Sequence, residues 1–196
     1  MKLKPGDVAP SFQVTDVHGE THSIPGNCCR PTLLSFYRHA GCPPCNLRVH
    51  ELMLASEKLD QYNVQILSVF ESTPEHIRKD LAHGDVPFPI LPDRERHLYR
   101  KYAVNTSLRG FLSSFLLRPQ YSVKAIFKYG YFPKFAEATT MMPADFLIAP
   151  DGRLKLVHYG KDLGDYLAFD TLYGALDELS AISTKGVSAS VAGCIN

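Results

Sequence analysis

An α/β fold, with a central mixed sheet and helices on both of its faces, is predicted for this chain of 196 residues. Three observations carry it. A short β-rich run at Pro31–Arg38, an amphipathic segment after it and a second apolar run at Val64–Glu71 form a strand–helix–strand unit, which requires parallel strands. Two strands around Pro150-Asp151-Gly152 form a hairpin, which requires antiparallel ones. A final periodic segment supplies another helix.

In chain order, Ser11–Asp16 and Glu20–Ile24 flank His18-Gly19 and read as an N-terminal hairpin, broken by Pro25-Gly26-Asn27. Thr32-Leu33-Leu34-Ser35-Phe36-Tyr37 is a buried strand. Cys45, Val49, Leu52, Ser56 and Leu59 then step by fours and threes, which places them on one helix face. Val64–Glu71 is the next strand. Ser72-Thr73-Pro74-Glu75 joins a hydroxyl cap to a proline at the first helical position, so a helix starts there and is expected to run to about Gly84. Pro87–Asp93 is extended, and Asp93 is placed to cap a helix through Ala103. Ala144–Ala149 and Arg153–Tyr159 close the sheet. The last helix covers about Tyr166–Ala181, with Leu172, Ala175, Leu176 and Leu179 as its apolar stripe. Residues 1–183 read as one domain, and 184–196, small and polar, as a frayed tail.

Thr106–Met141 differs in character and reads as an insertion, with a helix at Leu108–Leu117. Arg109, Arg118, Lys124, Lys128 and Lys134 against Glu137 give it a charge of +4, and eight of the chain's aromatics fall in it. Its aromatics read as core, with an apolar wall or a homodimer contact as alternatives. It starts near Ala103 and ends at Pro143, so it should return to the face that carries the cysteines. The whole chain has a formal charge of only +1. That excludes general nucleic-acid or membrane-surface binding, which needs a basic excess. No apolar run approaches the ~18–20 residues of a membrane span. The lysines at the start have no apolar core behind them, so a cytoplasmic location is expected. Forty-five per cent hydrophobic residues in a chain of this length can bury about 70% of its unfolded surface.

Five cysteines are too few for a disulfide scaffold, and pairs in a cytosolic chain serve redox or metal chemistry more often. Cys42-Pro43-Pro44-Cys45 follows a buried strand and opens a helix. Prolines suit the first turn because its amides have no intrahelical partner. The helix N-terminus lowers a thiol pKa, and the thiolate is the nucleophile. Positions three apart share a face, so the sulfurs can meet. A disulfide closing so short a loop adds little stability, which favours a redox use. The prolines also remove two amides that would otherwise face Cys42, so the depression should be mild. A zinc site built from Cys42, Cys45 and the Cys28-Cys29 pair is the competing reading, with adjacent cysteines an awkward second half.

The chain resembles the alkyl hydroperoxide reductase/thiol-specific antioxidant (AhpC/TSA) family of thioredoxin-fold redoxins, and is peroxiredoxin-like. Pro5-Gly6-Asp7-Val8-Ala9-Pro10-Ser11-Phe12, Leu33–Arg38 before the cysteines, Phe88–Asp93, Pro143–Ile148 and Pro150-Asp151-Gly152 carry the likeness, over about Lys4–Ala181 outside the insertion. The resemblance implies a thioredoxin-like fold. Counted from Phe36-Tyr37, it places the peroxidatic cysteine at Cys45. The family's proline and threonine then fall at Arg38 and Cys42, and its arginine at Pro143, so the groups that polarise a peroxide are replaced. A second cysteine at 42 and a proline at 143 are thioredoxin-like instead. That likeness implies a cis Met142–Pro143 bond facing the disulfide, with the Met142 backbone available to pair with an extended substrate.

These observations predict a thiol–disulfide oxidoreductase with Cys42 attacking and Cys45 resolving. Cys42 should sit accessibly at the mouth and Cys45 inside, with Met142 and Pro143 positioning substrate and Arg38 and His39 adding positive charge near the thiolate. The pair is its own redox centre, so no cofactor and no metal are required. The substrate is a disulfide or a peroxide, and the reductant a thiol partner such as thioredoxin or glutathione. The rivals are a thiol peroxidase attacking through Cys45 and a non-enzymatic or zinc-holding binding module. Arg48 and His50 read as solvated, Cys28-Cys29 as a loop pair, and Cys194 as a passive thiol in the tail.

Overall fold

The central strand of a five-stranded sheet is Thr32–Phe36 (β3), and all five of its residues are buried. In this computed structural model residues 1–24, 30–81, 86–117, 123–128, 130–131 and 140–186 are described. β3 pairs in parallel with Gln65–Phe70 (β4), which pairs in parallel with Ile90–Pro92 (β5). On its other side it meets Ala144–Ile148 (β6) antiparallel, and β6 meets Leu154–Tyr159 (β7) antiparallel. The order is β5-β4-β3-β6-β7, a mixed sheet. Phe12–Thr15 (β1) and Thr21–Ile24 (β2) form a separate hairpin.

Period-two alternation divides the core between the two faces of the sheet. Leu33, Ile66, Phe70 and Leu147 pack with Val49, Leu52 and Leu59 of Pro43–Asp60 (α1) and with Ile77 of Pro74–Asp80 (α2). Leu172, Ala175 and Leu176 of Phe169–Gly186 (α5) join the same layer. On the opposite face Leu34, Phe36, Leu67, Val69 and Phe146 pack with Leu98 and Tyr99 of His97–Lys101 (α3) and with Phe12 and Ile24 of the hairpin. Truncating a side chain as enclosed as Leu34 would cost ~2–5 kcal/mol.

The boundaries show which local forces win. Thr73 caps α2 as expected, its hydroxyl accepting the His76 amide at 3.3 Å. The helix ends at Asp80 rather than near Gly84, because Leu81 turns extended and packs onto the core; Gly84 lies outside the described residues. Asp93 does hold the following helix. Its carboxylate accepts the amides of His97, Leu98 and Tyr99 at 2.8, 2.7 and 3.3 Å. Arg96 intervenes in the left-handed region, so α3 covers only His97–Lys101. α5 begins three residues later than the pattern predicts, because the Leu167 backbone is tied elsewhere by both of its polar groups: its amide donates to Asp145 and its carbonyl accepts from Arg48. It then runs through Gly186, past the expected end at Ala181. Residues 187–196, with Cys194, lie outside the described residues. No described helix is long and apolar enough to cross a membrane.

Asp93 binds three amides, so replacing it with alanine should lower stability by about 1–3 kcal/mol in urea unfolding. Asp93→Asn, which keeps an acceptor, should lose less. Equal stability of Asp93→Ala and the parent would remove the role assigned to this carboxylate.

Candidate active site

The segment from the end of β3 to the start of α1 is fixed by a run of backbone hydrogen bonds. Tyr37 N–H donates to Val69 O at 2.9 Å, and Tyr37 O accepts the Tyr99 hydroxyl. Arg38 O accepts the Glu71 amide at 3.0 Å, and Ala40 N–H donates to Ser72 Oγ at 3.1 Å. Asn46 Nδ2 donates back to Ala40 O at 2.6 Å and to Cys42 O at 3.1 Å. Buried Glu71 is itself paired with Arg96. The loop therefore reaches α1 in one defined path, as a reactive thiol requires.

Pro43 and Pro44 occupy the first two positions of α1. Having no N–H, they leave Cys45 with the first free amide of the helix. The Asn46 amide makes the first helical bond, to Cys42 O at 3.0 Å. The Cys45 amide faces the Cys42 sulfur without the geometry of a full cap bond. Arg38, itself buried, places Nη1 3.5 Å from Cys42 Sγ. Burial opposes ionisation of Cys42. It is outweighed by the hydrogen bond from the Cys45 thiol, the Arg38 charge and the Cys45 amide, and the pKa is lowered to about 6. Cys45 moves the other way. Burial, the hydrogen bond it gives to Cys42 and the Cys42 charge raise its pKa, with Arg38 opposing. The two thiols are thus split into a thiolate and its proton-bearing partner.

The expected difference in access is not found. Cys42 is 0% and Cys45 1% exposed, so the assignment of Cys42 to an open mouth is corrected. Both thiols belong to the buried layer that holds Tyr37, Ala40, Val49 and Leu167, and the insertion reaches the site at Arg38. Its helix, Leu108–Leu117 (α4), lies where the sequence places it, and Phe111 sets its ring 5.1 Å from the Arg38 guanidinium. A short π-helical segment, Lys124–Lys128, packs along α1, with Lys124 3.4 Å from Glu51. Close approach is enforced at Gly110, where a Cβ would lie 2.5 Å from Lys161 O and 2.7 Å from Met142 Sδ. Of the expected insertion residues, Arg118, Lys134, Glu137 and the aromatics Tyr121, Tyr129, Phe132 and Phe135 lie outside the described residues.

Met142 and Pro143 are buried beside α4 at the start of β6. Met142 N–H donates to Asn105 O at 3.2 Å, and Thr106 bridges Met141. The Met142 backbone, expected to pair with an extended substrate, thus already gives its amide to the chain's own Asn105. His39 is buried, and its carbonyl accepts the Cys42 amide at 3.1 Å. Arg48, expected in solvent, is 4% exposed. It donates to Leu167 O at 2.8 Å and lies 4.3 Å from the Phe169 ring. His50 is half-buried. Among the described residues no three His, Cys, Asp or Glu side chains converge to hold a metal; Cys28 and Cys29 lie outside them.

Several contributors carry little signal in the sequence. Asn46 is one, although asparagine in a first helical turn hints at a backbone-directed side chain. Tyr166, beside Cys45, is another. Its hydroxyl is buried without a hydrogen bond of full geometry. Burial and then the Cys45 and Cys42 sulfurs push its pKa up. Asp145, enclosed in β6, accepts Ser35 Oγ–H at 2.7 Å and so ties β3 to the start of α5.

A profile described as the AhpC/TSA family matches residues 5–157. Peroxiredoxin Bcp of Escherichia coli K12 is 26% identical over 102 residues, 52% of this chain and 65% of that protein. The chain thus spans less than two thirds of the curated relatives it matches. Two solved structures share the fold. A Chlorobium tepidum structure described as a thiol:disulfide interchange protein DsbE has a TM-score of 0.60 and 18% identity, over 93% of this chain and 99% of that one. Peroxidoxin BcpB of Mycobacterium tuberculosis has a TM-score of 0.63 and 15% identity, over 92% and 98%.

The reduced protein should show thiolate absorbance at 240 nm with a midpoint near pH 6. Arg38→Met should raise that midpoint by about 1–3 units, because a neighbouring cation favours the charged form. The sign for stability follows. The folded value lies below the ~8.5 of an unfolded thiol, so the stabilisation is complete above about 8.5 and is lost as pH falls through about 6. A midpoint unmoved by Arg38→Met would show that the guanidinium does not set it.

Proposed function

Because the chain belongs to the AhpC/TSA family, we propose that it is a thiol–disulfide oxidoreductase with Cys42 as nucleophile and Cys45 as resolving thiol. The observation that carries this reading is Cys42 held against the Cys45 thiol and the buried Arg38 guanidinium, the contacts that lower its pKa to about 6 and favour it as the ionised member of the pair at neutral pH. The Cys42 thiolate attacks one sulfur of a substrate disulfide. The S–S bond breaks, and the first substrate thiolate leaves. Cys45, losing its proton, attacks Cys42 of the mixed disulfide, and the second substrate thiol departs. The protein is left as the Cys42–Cys45 disulfide, having supplied two electrons. A thiol partner such as thioredoxin or glutathione returns it to the dithiol. No metal or organic cofactor takes part.

A thiol peroxidase is the second reading, and two observations support it. The relatives include peroxiredoxins. Arg38 also acts on Cys45, through its charge and its backbone N–H, and so supplies some of the polarisation lost where the family's threonine and arginine are replaced. In that route Cys45 attacks the distal peroxide oxygen, the O–O bond breaks and an alcohol or water leaves. Cys42 then displaces water from the Cys45 sulfenic acid to form the same disulfide. The raised pKa of Cys45 counts against this order of attack.

Single serine variants separate the two. Cys42→Ser should abolish disulfide exchange, while Cys45→Ser should trap a mixed disulfide on Cys42, seen as an intact-mass gain of one substrate thiol. Peroxide turnover should be slow, since each missing oxyanion donor typically costs ~10²–10³ in rate. Fast peroxide reduction by Cys42→Ser, lost in Cys45→Ser, would install the peroxidase in place of the disulfide exchanger.

A further inference from the structure

A cavity of about 510 Å³ opens between the N-terminal part of α4 and the Met142–Pro143 turn. Three of its lining side chains are cationic, Lys2, Arg109 and Lys161, and none is acidic. They come from three distant parts of the chain, so the one-sided charge is assembled only by the fold. Asp162, next to Lys161 in sequence, is buried and accepts the Gly164 amide at 2.9 Å, while Asp165 accepts the Lys161 amide and sits against His158, lining a different cavity. That other cavity, about 830 Å³, mixes Glu51 and Asp165 with Arg48 and His158. Its charges are of both signs, and Arg48 is already bound to Leu167 O. Of these two cavities, the one of about 510 Å³ is lined by charges of one sign.

A relay of contacts joins its wall to the redox pair. Gly110 forms part of it and touches Met142; the next residue, Phe111, lies on Arg38, which touches Cys42. The opposite wall is equally tight at Gly160, where a Cβ would lie 2.7 Å from Pro143 Cγ. The volume suits a molecule of about tripeptide size, since small-molecule sites run ~300–1,000 Å³.

We infer that this cavity binds a small carboxylate-bearing molecule through Arg109, Lys161 and Lys2, and so selects acidic, peptide-sized thiols or disulfides for the cysteine pair. The carboxylates meet the cations at the rim, and Tyr159, with Lys2 4.5 Å from its ring, offers an apolar side to the rest of the molecule. The choice of thiols and disulfides rests on the redox reading above; the binding itself does not.

The test uses the full reduced chain and S-methylglutathione, which has two carboxylates and no thiol. Calorimetric titration should give saturable binding, weakened at least about tenfold in the double variant Arg109→Glu/Lys161→Glu, since each charged hydrogen bond contributes tenfold or more. Both side chains are exposed, so the fold should tolerate the change. The ratio of kcat/KM for glutathione disulfide to that for uncharged hydroxyethyl disulfide should fall by a similar factor. Absence of saturable binding, unchanged affinity in the variant, or equally tight binding of inorganic phosphate would overturn the site. Saturable, variant-sensitive binding without any disulfide turnover would uphold the site and reject the redox reading.

Discussion

A thiolate buried in protein must have a buried cation beside it, and the contact between Arg38 and Cys42 meets that requirement. Water cannot solvate either partner, so each makes the other tolerable. The guanidinium has a further neighbour in the Phe111 face. Removing the insertion would therefore strip away one of the contacts that hold Arg38 in place.

The sheet carries the same logic inward. β3 ends at Phe36, and the carbonyls and amides of the turn after it bond to β4, to the loop after β4, to Tyr99 of α3, to Asn46 of α1, or within the turn itself. Below it, Asp145 bonds Ser35 and Leu167, and Arg48 bonds the Leu167 carbonyl. Two buried polar clusters thus clamp the ends of α1 and α5 to the central strands. Each is costly to bury and would be strongly destabilising to break on one side only. Such a frame leaves the cysteines little freedom.

What was legible in the sequence has a common cause. Leu33, Leu34 and Phe36, the fours and threes from Cys45 to Leu59, the Thr73 cap and the boundaries of α4 are all set by neighbours in the chain. What was not legible depends on partners far away. Arg48 reads as a solvated helix residue because the carbonyl that claims it belongs to Leu167, 119 residues on. The Met142 amide reads as available because the carbonyl that occupies it, Asn105, belongs to the other end of the insertion. The late start of α5 has the same origin, in a backbone held by Asp145 and Arg48. Within the site, the place of Cys42 and Cys45 at a helix start was legible from their spacing, while their burial depends on distant residues such as Tyr37 and Leu167 that pack around them.

On the proposed reading, the electrostatics of the pair change in the direction that the second step needs. Cys45 holds its proton in the resting state for three reasons: burial, its hydrogen bond to the Cys42 thiolate, and the charge of that thiolate. Once Cys42 is joined to substrate, its sulfur is neutral, so the second and third reasons disappear. Arg38, until then neutralised by Cys42, keeps its charge and its place, and what remains of its effect falls on Cys45. Attack by Cys42 therefore lowers the barrier to ionising Cys45 without any group moving. Premature ionisation of both thiols, which would put two like charges within one low-dielectric pocket, is disfavoured by the same arrangement. The order of events is written into one cation serving two sulfurs in turn.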